Sequence, residues 1–392
     1  MVSVFFLVGI LGAVFVGYNI GGANTGPAFG PAVGAEAISK TVAAALMSIF
    51  FFVGAWTIGR RVVDTLGTEL VTDPTVFTLE ASIGVLFFIG FALFVGNFFG
   101  VPASTSMTAV GAVAGLGLAA NELDWAVMGE IAIWWIVAPI IGFWVSLIIG
   151  RYFYAHLSRL IAMERSEGSL FQLDRSGYVP IPRPNPTTNR RELVGVLTVV
   201  VIGCLMAFSA GTSNIANAIA PLVGSGALEM NTGIFLGSAA VALGTFTIAR
   251  RTLETMGNDL TELPLTAAII IATVSAALVI FLSAIGIPAS FVVIATMSVI
   301  GLGWGRATRP ITVPEAVRGE TDAEISVGAL KADEKTNEVP SIGEEEPEDL
   351  PTATDLFDPT TTARVVFMQN VVPIIATLGA YLTFRFVPIF GI

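Results

Sequence analysis

Charge is what this chain has least of. Only 12% of its 392 residues are Asp, Glu, Lys or Arg, against about 25% in a typical soluble domain. Lysine occurs three times, cysteine once and histidine once. A single cysteine, Cys204, set in an apolar run leaves no disulfide framework. A single histidine, His156, argues against a His/Cys metal site and against histidine-based catalysis. No basic face suggests nucleic acid as a partner. What fills the chain is apolar: 54% of residues are hydrophobic and the mean hydropathy is +0.81. That composition marks a polytopic protein whose main partner is the lipid bilayer, with the cell membrane as its place. Residues 2–20 are apolar with no basic residue ahead of them, so they read as a first membrane helix rather than a cleaved leader.

The formal net charge of −11 is local. Residues 312–358 hold 14 Asp/Glu against 3 Lys/Arg, and the remainder of the chain balances. Apolar runs fall at about 2–20, 41–59, 76–98, 103–120 and 125–150, then again at about 192–210, 232–249, 264–285, 288–304 and 365–390. This divides the chain into a first membrane repeat (1–150), a polar linker (151–191), a second repeat (192–305 with 364–392) and an inserted acidic loop (306–363) expected to be disordered. The linker carries Arg151, Arg159, Arg165, Arg175, Arg183, Arg190 and Arg191, an excess that favours the cytoplasmic side.

The halves match in sequence as well as in pattern. Gly21-Gly-Ala-Asn-Thr-Gly-Pro-Ala-Phe-Gly-Pro-Ala-Val-Gly34 aligns without a gap on Gly211-Thr-Ser-Asn-Ile-Ala-Asn-Ala-Ile-Ala-Pro-Leu-Val-Gly224 at an offset of 190. The same offset carries Arg60-Arg61 onto Arg250-Arg251 and Gly67 onto Gly257. A second pair, Gly100-Val-Pro-Ala-Ser-Thr-Ser106 and Gly286-Ile-Pro-Ala-Ser-Phe-Val292, follows at an offset of 186. Both pairs are too rich in Gly, Pro and Asn for regular helix, and paired breaks in corresponding places point to a midplane substrate site. The fold class is therefore an all-α polytopic membrane protein of two homologous repeats, expected to be inverted, with broken or re-entrant helices at that site. Five crossings per half invert the second half; if the short runs at 103–120 and 288–304 dip and return, the repeats are parallel, and the sequence leaves this open.

Ser104, Thr105 and Ser106 follow Pro102 at what reads as a helix N-terminus, where free N–H groups and the positive dipole end suit an anion. Their hydroxyls donate without placing a charge in the membrane. The second copy keeps Ser290 but continues with Phe291 and Val292. The bland alternative is that small hydroxyl residues only let helices pack closely. Asn24, Asn214 and Asn217 can coordinate a cation through oxygen or an anion through N–H, or can cap broken helices. Arg60-Arg61 and Arg250-Arg251 read as interfacial anchors.

These residues resemble the PiT-type inorganic phosphate transporter family, whose members repeat a Gly-Ala-Asn-Asp-Val-Ala-Asn-like motif in two halves. Ser213-Asn-Ile-Ala-Asn-Ala-Ile-Ala-Pro221 is similar to that motif, and Pro102-Ala-Ser-Thr-Ser106 to the family's Pro-Val-Ser-Thr-Thr-His. The resemblance implies a secondary active transporter of phosphate, an ion-coupled symporter using sodium or protons, with no cofactor beyond a bound sodium. It places substrate on Ser104, Thr105, Ser106, Ser290, Asn217 and Ser213, and ion coupling on Asn24, Thr25 and Asn214. The departures are specific. The motif Asp falls on Asn24 and Asn214, the later motif Asn is Pro27 in the first half, a family Glu falls on Phe51 and Val241, and the motif His on Met107. Losing these carboxylates brings a sulfate permease of the same superfamily into view, because sulfate has no proton to donate near neutral pH. An anion channel is the alternative of another class, since repeats and helix ends serve both. An enzyme is not expected, for want of a nucleophile, an acid/base pair or a metal cluster. Oligomeric state is open, a homodimer included.

Overall fold

The computed structural model describes residues 3–34, 37–98, 104–161, 171–174, 181–184, 190–259, 265–308 and 359–387. These are almost wholly helical: α1 (Val4–Gly34), α2 (Lys40–Thr57), α3 (Gly59–Asp64), α4 (Leu79–Phe98), α5 (Thr105–Ala120), α6 (Trp125–Ile148), α7 (Tyr154–Ile161), α8 (Arg190–Gly224), α9 (Met230–Asp259), α10 (Leu265–Ala284), α11 (Phe291–Ala307) and α12 (Pro359–Phe386). A bilayer offers no partner for a free N–H or C=O, so apolar segments satisfy themselves as helix. Seven of the described helical stretches are long and apolar enough to cross a membrane. The protein is thus a multi-pass membrane protein. Helix α5, with 16 residues, rises only about 24 Å, short of a hydrocarbon core of about 30 Å.

One expectation needs correction. The motif stretches do not break: α1 stays helical through Pro27 and Pro31 to Gly34, and α8 through Pro221 to Gly224. Their glycines instead let helices touch at the backbone. A Cβ on Gly21 would overlap the carbonyl oxygen of Val241 in α9, and one on Gly211 would overlap that of Phe51 in α2. Likewise Gly244 lies against the Tyr18 carbonyl and Gly54 against that of Phe208. The 190-residue offset turns each of these contacts into another. At the start of the linker, α6 runs on past residue 150 through a π-turn (Ile149–Phe153) into α7. Beyond it, two short antiparallel strands, β1 (Phe171–Asp174) and β2 (Ile181–Pro184), pair before α8 begins, a small departure from an all-α chain. Most of the acidic loop, residues 309–358, and the Gly100–Ala103 break lie outside the described residues.

Helices α5 and α12 pack in parallel: Gly111 meets Pro373 and Thr377, and Gly115 meets Thr377 and Ala380. Helices α6 and α11 do the same, through Gly301 on Phe143 and Gly305 on Leu147. Every one of these close pairs joins one half to the other. The fully buried core runs through the junction, with Ile20, Phe29, Met47, Phe51, Leu66 and Ile215 among its largest members. Arg60 and Arg61 are engaged rather than loose anchors. Arg60 sits 4.4 Å over the Trp56 ring and donates to Asn231 Oδ1 at 2.8 Å, while Arg61 donates to the Ala284 carbonyl at the end of α10.

Candidate functional site

Helix α5 begins at Thr105, with Ser104 as its N-cap: the Ser104 hydroxyl accepts from Met107 N at 3.2 Å. Helix α11 begins one residue after Ser290, whose hydroxyl accepts from Val293 N at 3.4 Å. Gly286, at φ +83°, turns the chain after α10, a conformation that suits glycine. The sequence reading of these two helix starts is therefore met. The two starts also come together. Ser106 Oγ donates to the Ala289 carbonyl at 2.9 Å, and the Trp135 indole N–H of α6 donates to the Pro288 carbonyl at 2.9 Å.

Against this junction lies the middle of α8. Thr105 Oγ1 donates to Asn214 Oδ1 at 2.7 Å, and the Ser106 and Ser213 hydroxyls are 3.1 Å apart. Ser213 donates to the Ala289 carbonyl at 2.8 Å and accepts from Ala289 N at 3.2 Å. Helix α8 thus ties both helix starts to itself through one serine. Most of this is shielded: Ser104, Ser106, Ser213 and Asn217 are fully buried and Asn214 is 4% exposed, while Thr105 is half-buried.

The amides form an oriented chain. Asn24 Nδ2 donates to the Ile20 carbonyl at 2.9 Å, Asn214 Nδ2 reaches Asn24 Oδ1 at 3.5 Å, and Asn217 Nδ2 donates to Asn214 Oδ1 at 3.2 Å. A backbone carbonyl can only accept, so Ile20 fixes the direction of the whole relay. Its far end is Asn217 Oδ1, a buried oxygen with no donor. Pro221, four residues on, has no N–H to give the Asn217 carbonyl, so that residue carries a second underused acceptor. A buried polar atom without a protein partner calls for an explanation, an ordered water, an ion or a ligand among them.

Seven of the nine sequence candidates stand at this junction: Asn24, Thr105, Ser106, Ser213, Asn214 and Asn217 in the bonded network, and Ser104 as the cap beneath it. Ser290 caps α11 beside Ala289 and makes no bond into the network among the described residues. Thr25 faces elsewhere: its hydroxyl donates to the Gly21 carbonyl at 2.7 Å and meets Thr245 Oγ1 of α9 at 3.3 Å. The asparagines sit mid-helix and do not cap broken helices, as the sequence had allowed. Phe51 and Val241, at the positions of the family Glu, are fully buried apolar residues at the two tightest helix crossings. Sequence reasoning missed Ala289, whose contribution is backbone, and Gln369 of α12, 4% exposed with Nε2 unpartnered. A polar residue one turn ahead of Pro373 in an apolar run was the available signal.

Comparison with known proteins places these motifs. The profile of the phosphate transporter family matches residues 20–330. The sulfate permease CysP of Bacillus subtilis is 31% identical over 301 residues, 76% of this chain and 77% of that one. A Thermococcus kodakarensis protein provisionally named a phosphate permease is 25% identical over 369 residues, 77% of this chain and 90% of its own. Among solved structures, a sodium-dependent phosphate transporter superposes with a TM-score of 0.67 at 16% identity, covering 97% of this chain and 98% of that one. It shares the fold. With the family profile spanning most of its length, this chain, a membrane transporter and not an enzyme, belongs to the phosphate transporter family.

Proposed function

We propose that the chain is a secondary active transporter of inorganic phosphate, coupled to a cation. The observation that carries this is the contact of the α5 hydroxyls with the α8 amides, Thr105 on Asn214 and Ser106 on Ser213. In the absence of substrate these donors satisfy one another. A tetrahedral oxyanion entering between them takes over the hydroxyl and first-turn N–H donors of α5, aided by the positive end of the helix. Asn217 Oδ1 supplies what a pure donor set lacks, an acceptor for a phosphate hydroxyl or a ligand for the coupling cation.

The halves read as inverted repeats. Contacts rise in step along α1 and α9 (Gly17 on Ala240, Gly22 on Ile248) and along α2 and α8 (Gly54 on Phe208, Gly59 on Ile215), so each pair runs parallel. Helices α1 and α2 are joined by residues 35–39 alone and form an antiparallel hairpin. Helix α8 therefore runs opposite to its counterpart α1. In this reading α4–α5 and α10–α11 are hairpins that enter and return, with α5 and α11 starting at the site, leaving three full crossings per half. That odd number is compatible with inversion, as five is.

A second reading, sulfate transport, is favoured by the 31% identity to a sulfate permease and by a hydroxyl–amide network with no carboxylate in it to take a phosphate proton. Uptake of labelled phosphate into proteoliposomes separates them, with sulfate as competitor and sodium and proton gradients imposed one at a time. Phosphate accumulation unaffected by sulfate supports the first reading, and the driving gradient names the cation. Entry of sulfate without phosphate replaces it by the second.

A further inference from the structure

The geometry points to Gln369 as an additional oxyanion donor of this site, an inference that rests on the transport reading above. Three observations converge on it. The first is burial without a partner: Gln369 is 4% exposed and its Nε2 has no acceptor. Leaving a buried amide N–H unsatisfied is destabilising, so an idle glutamine here is a poor core residue. The second is register. Gly111 lies on Pro373 and Thr377, Gly115 on Thr377 and Ala380, and Arg385 Nη1 reaches the Ala119 carbonyl at 3.5 Å. Continuing that parallel register back one turn sets Gln369 alongside Met107 in the first turn of α5, next to the helix start whose Thr105 and Ser106 hydroxyls bond α8. The third is the counterpart in the other half. Trp135 stands four residues ahead of Pro139 in α6, as Gln369 stands four ahead of Pro373 in α12. Trp135 sends its ring N–H to the start of the opposite short helix, at the Pro288 carbonyl. Gln369 holds the same station towards α5 with its donor still unused.

In each case the proline removes the N–H that the residue four positions earlier would have met, so the helix is opened at that level. A neutral amide is a suitable donor there: it binds an anion without holding a permanent cation in the membrane. The ligand class is a tetrahedral oxyanion, with the amide N–H shared between phosphate and sulfate as substrates.

The test is calorimetric binding of inorganic phosphate, and separately of sulfate, to the purified full chain and to Gln369→Met and Gln369→Glu. A hydrogen bond to a charged ligand predicts that Gln369→Met weakens binding of whichever oxyanion the parent binds by about tenfold or more. Because the substitution removes an orphan donor at similar volume, the ligand-free variant melts no lower than the parent. Gln369→Glu abolishes binding at alkaline pH and regains it, relative to the parent at the same pH, as the carboxyl protonates. Parent-like affinity in Gln369→Met, or a fall in melting temperature with affinity unchanged, overturns the assignment in favour of a structural role. A parent that binds neither anion defeats the transport reading instead, which keeps the two failures apart.

Discussion

Restoring a carboxylate at Asn214 tests the electrostatics of the site directly. Asn214 is 4% exposed, and its Oδ1 accepts from Thr105 Oγ1 at 2.7 Å and Asn217 Nδ2 at 3.2 Å. Asn214→Asp keeps both acceptor contacts but exchanges the donor end, 3.5 Å from Asn24 Oδ1, for a second oxygen facing that oxygen. An ionised Asp at this point meets an incoming oxyanion as a like charge. At about 4 Å and an effective dielectric near 20 the repulsion is about 4 kcal/mol, close to a thousandfold in affinity. A sodium ion drawn to the new carboxylate cancels most of that penalty. Phosphate binding to Asn214→Asp in sodium-free buffer should therefore fall by two to three orders of magnitude relative to the parent. It should recover on adding sodium, and recover again as the pH falls and the carboxyl takes a proton. Calorimetric titration at several pH values, with and without sodium, reads all three effects. A variant that matches the parent in sodium-free buffer at every pH would refute the placement of the anion beside Asn214.

Four further outcomes follow. Gly211→Ala, whose Cβ overlaps the Phe51 carbonyl, should abolish folded protein in detergent, whereas Gly129→Ala, with nothing within 4 Å, should express and melt like the parent. Ser213→Ala leaves the Ala289 amide without its partner and the Ala289 carbonyl with Ser106 alone; it should lower stability by about 1–3 kcal/mol and reduce uptake, and unaltered values of both would contradict its bridging role. Asp64, outside the membrane spans, has its carboxyl pushed above the ordinary range by burial, then by the Glu69 charge, with Arg60 opposing. The folded state therefore binds this proton more readily than the unfolded one, so its contribution to stability falls as pH rises through the folded pKa; Asp64→Asn should flatten that slope in thermal melts, and an unchanged slope would show the shift is negligible. Titration with the transported anion should give one site per chain, and a stoichiometry of two would contradict a single polar station built from α5 and α8.

How much of this was legible depends on whether a residue type acts locally or through its neighbours. The helix starts were legible, since Pro102-Ala-Ser104 and Pro288-Ala-Ser290 combine a helix-breaking residue with an N-cap, and both serines cap as their type predicts. The motif stretches misled because glycine has two uses. Composition alone reads it as a breaker, but Gly21 and Gly211 are there to admit a carbonyl from the opposite half, and the helix continues around them. For Gln369 the local signal, a polar residue one turn ahead of Pro373, marks the position but not its neighbour, which is set by the register between α12 and α5. The network also explains which half kept its polar groups. The bonded donors come from α5 of the first half and α8 of the second. The offsets place Ala23 opposite Ser213, Pro27 opposite Asn217, and Phe291 and Val292 opposite Thr105 and Ser106. At the positions aligned by sequence, α11 and α1 therefore lack these hydroxyls and the second amide together. The polar groups gather at one station, supported by the Ala289 backbone, the Ser290 cap and the Trp135 tie to Pro288.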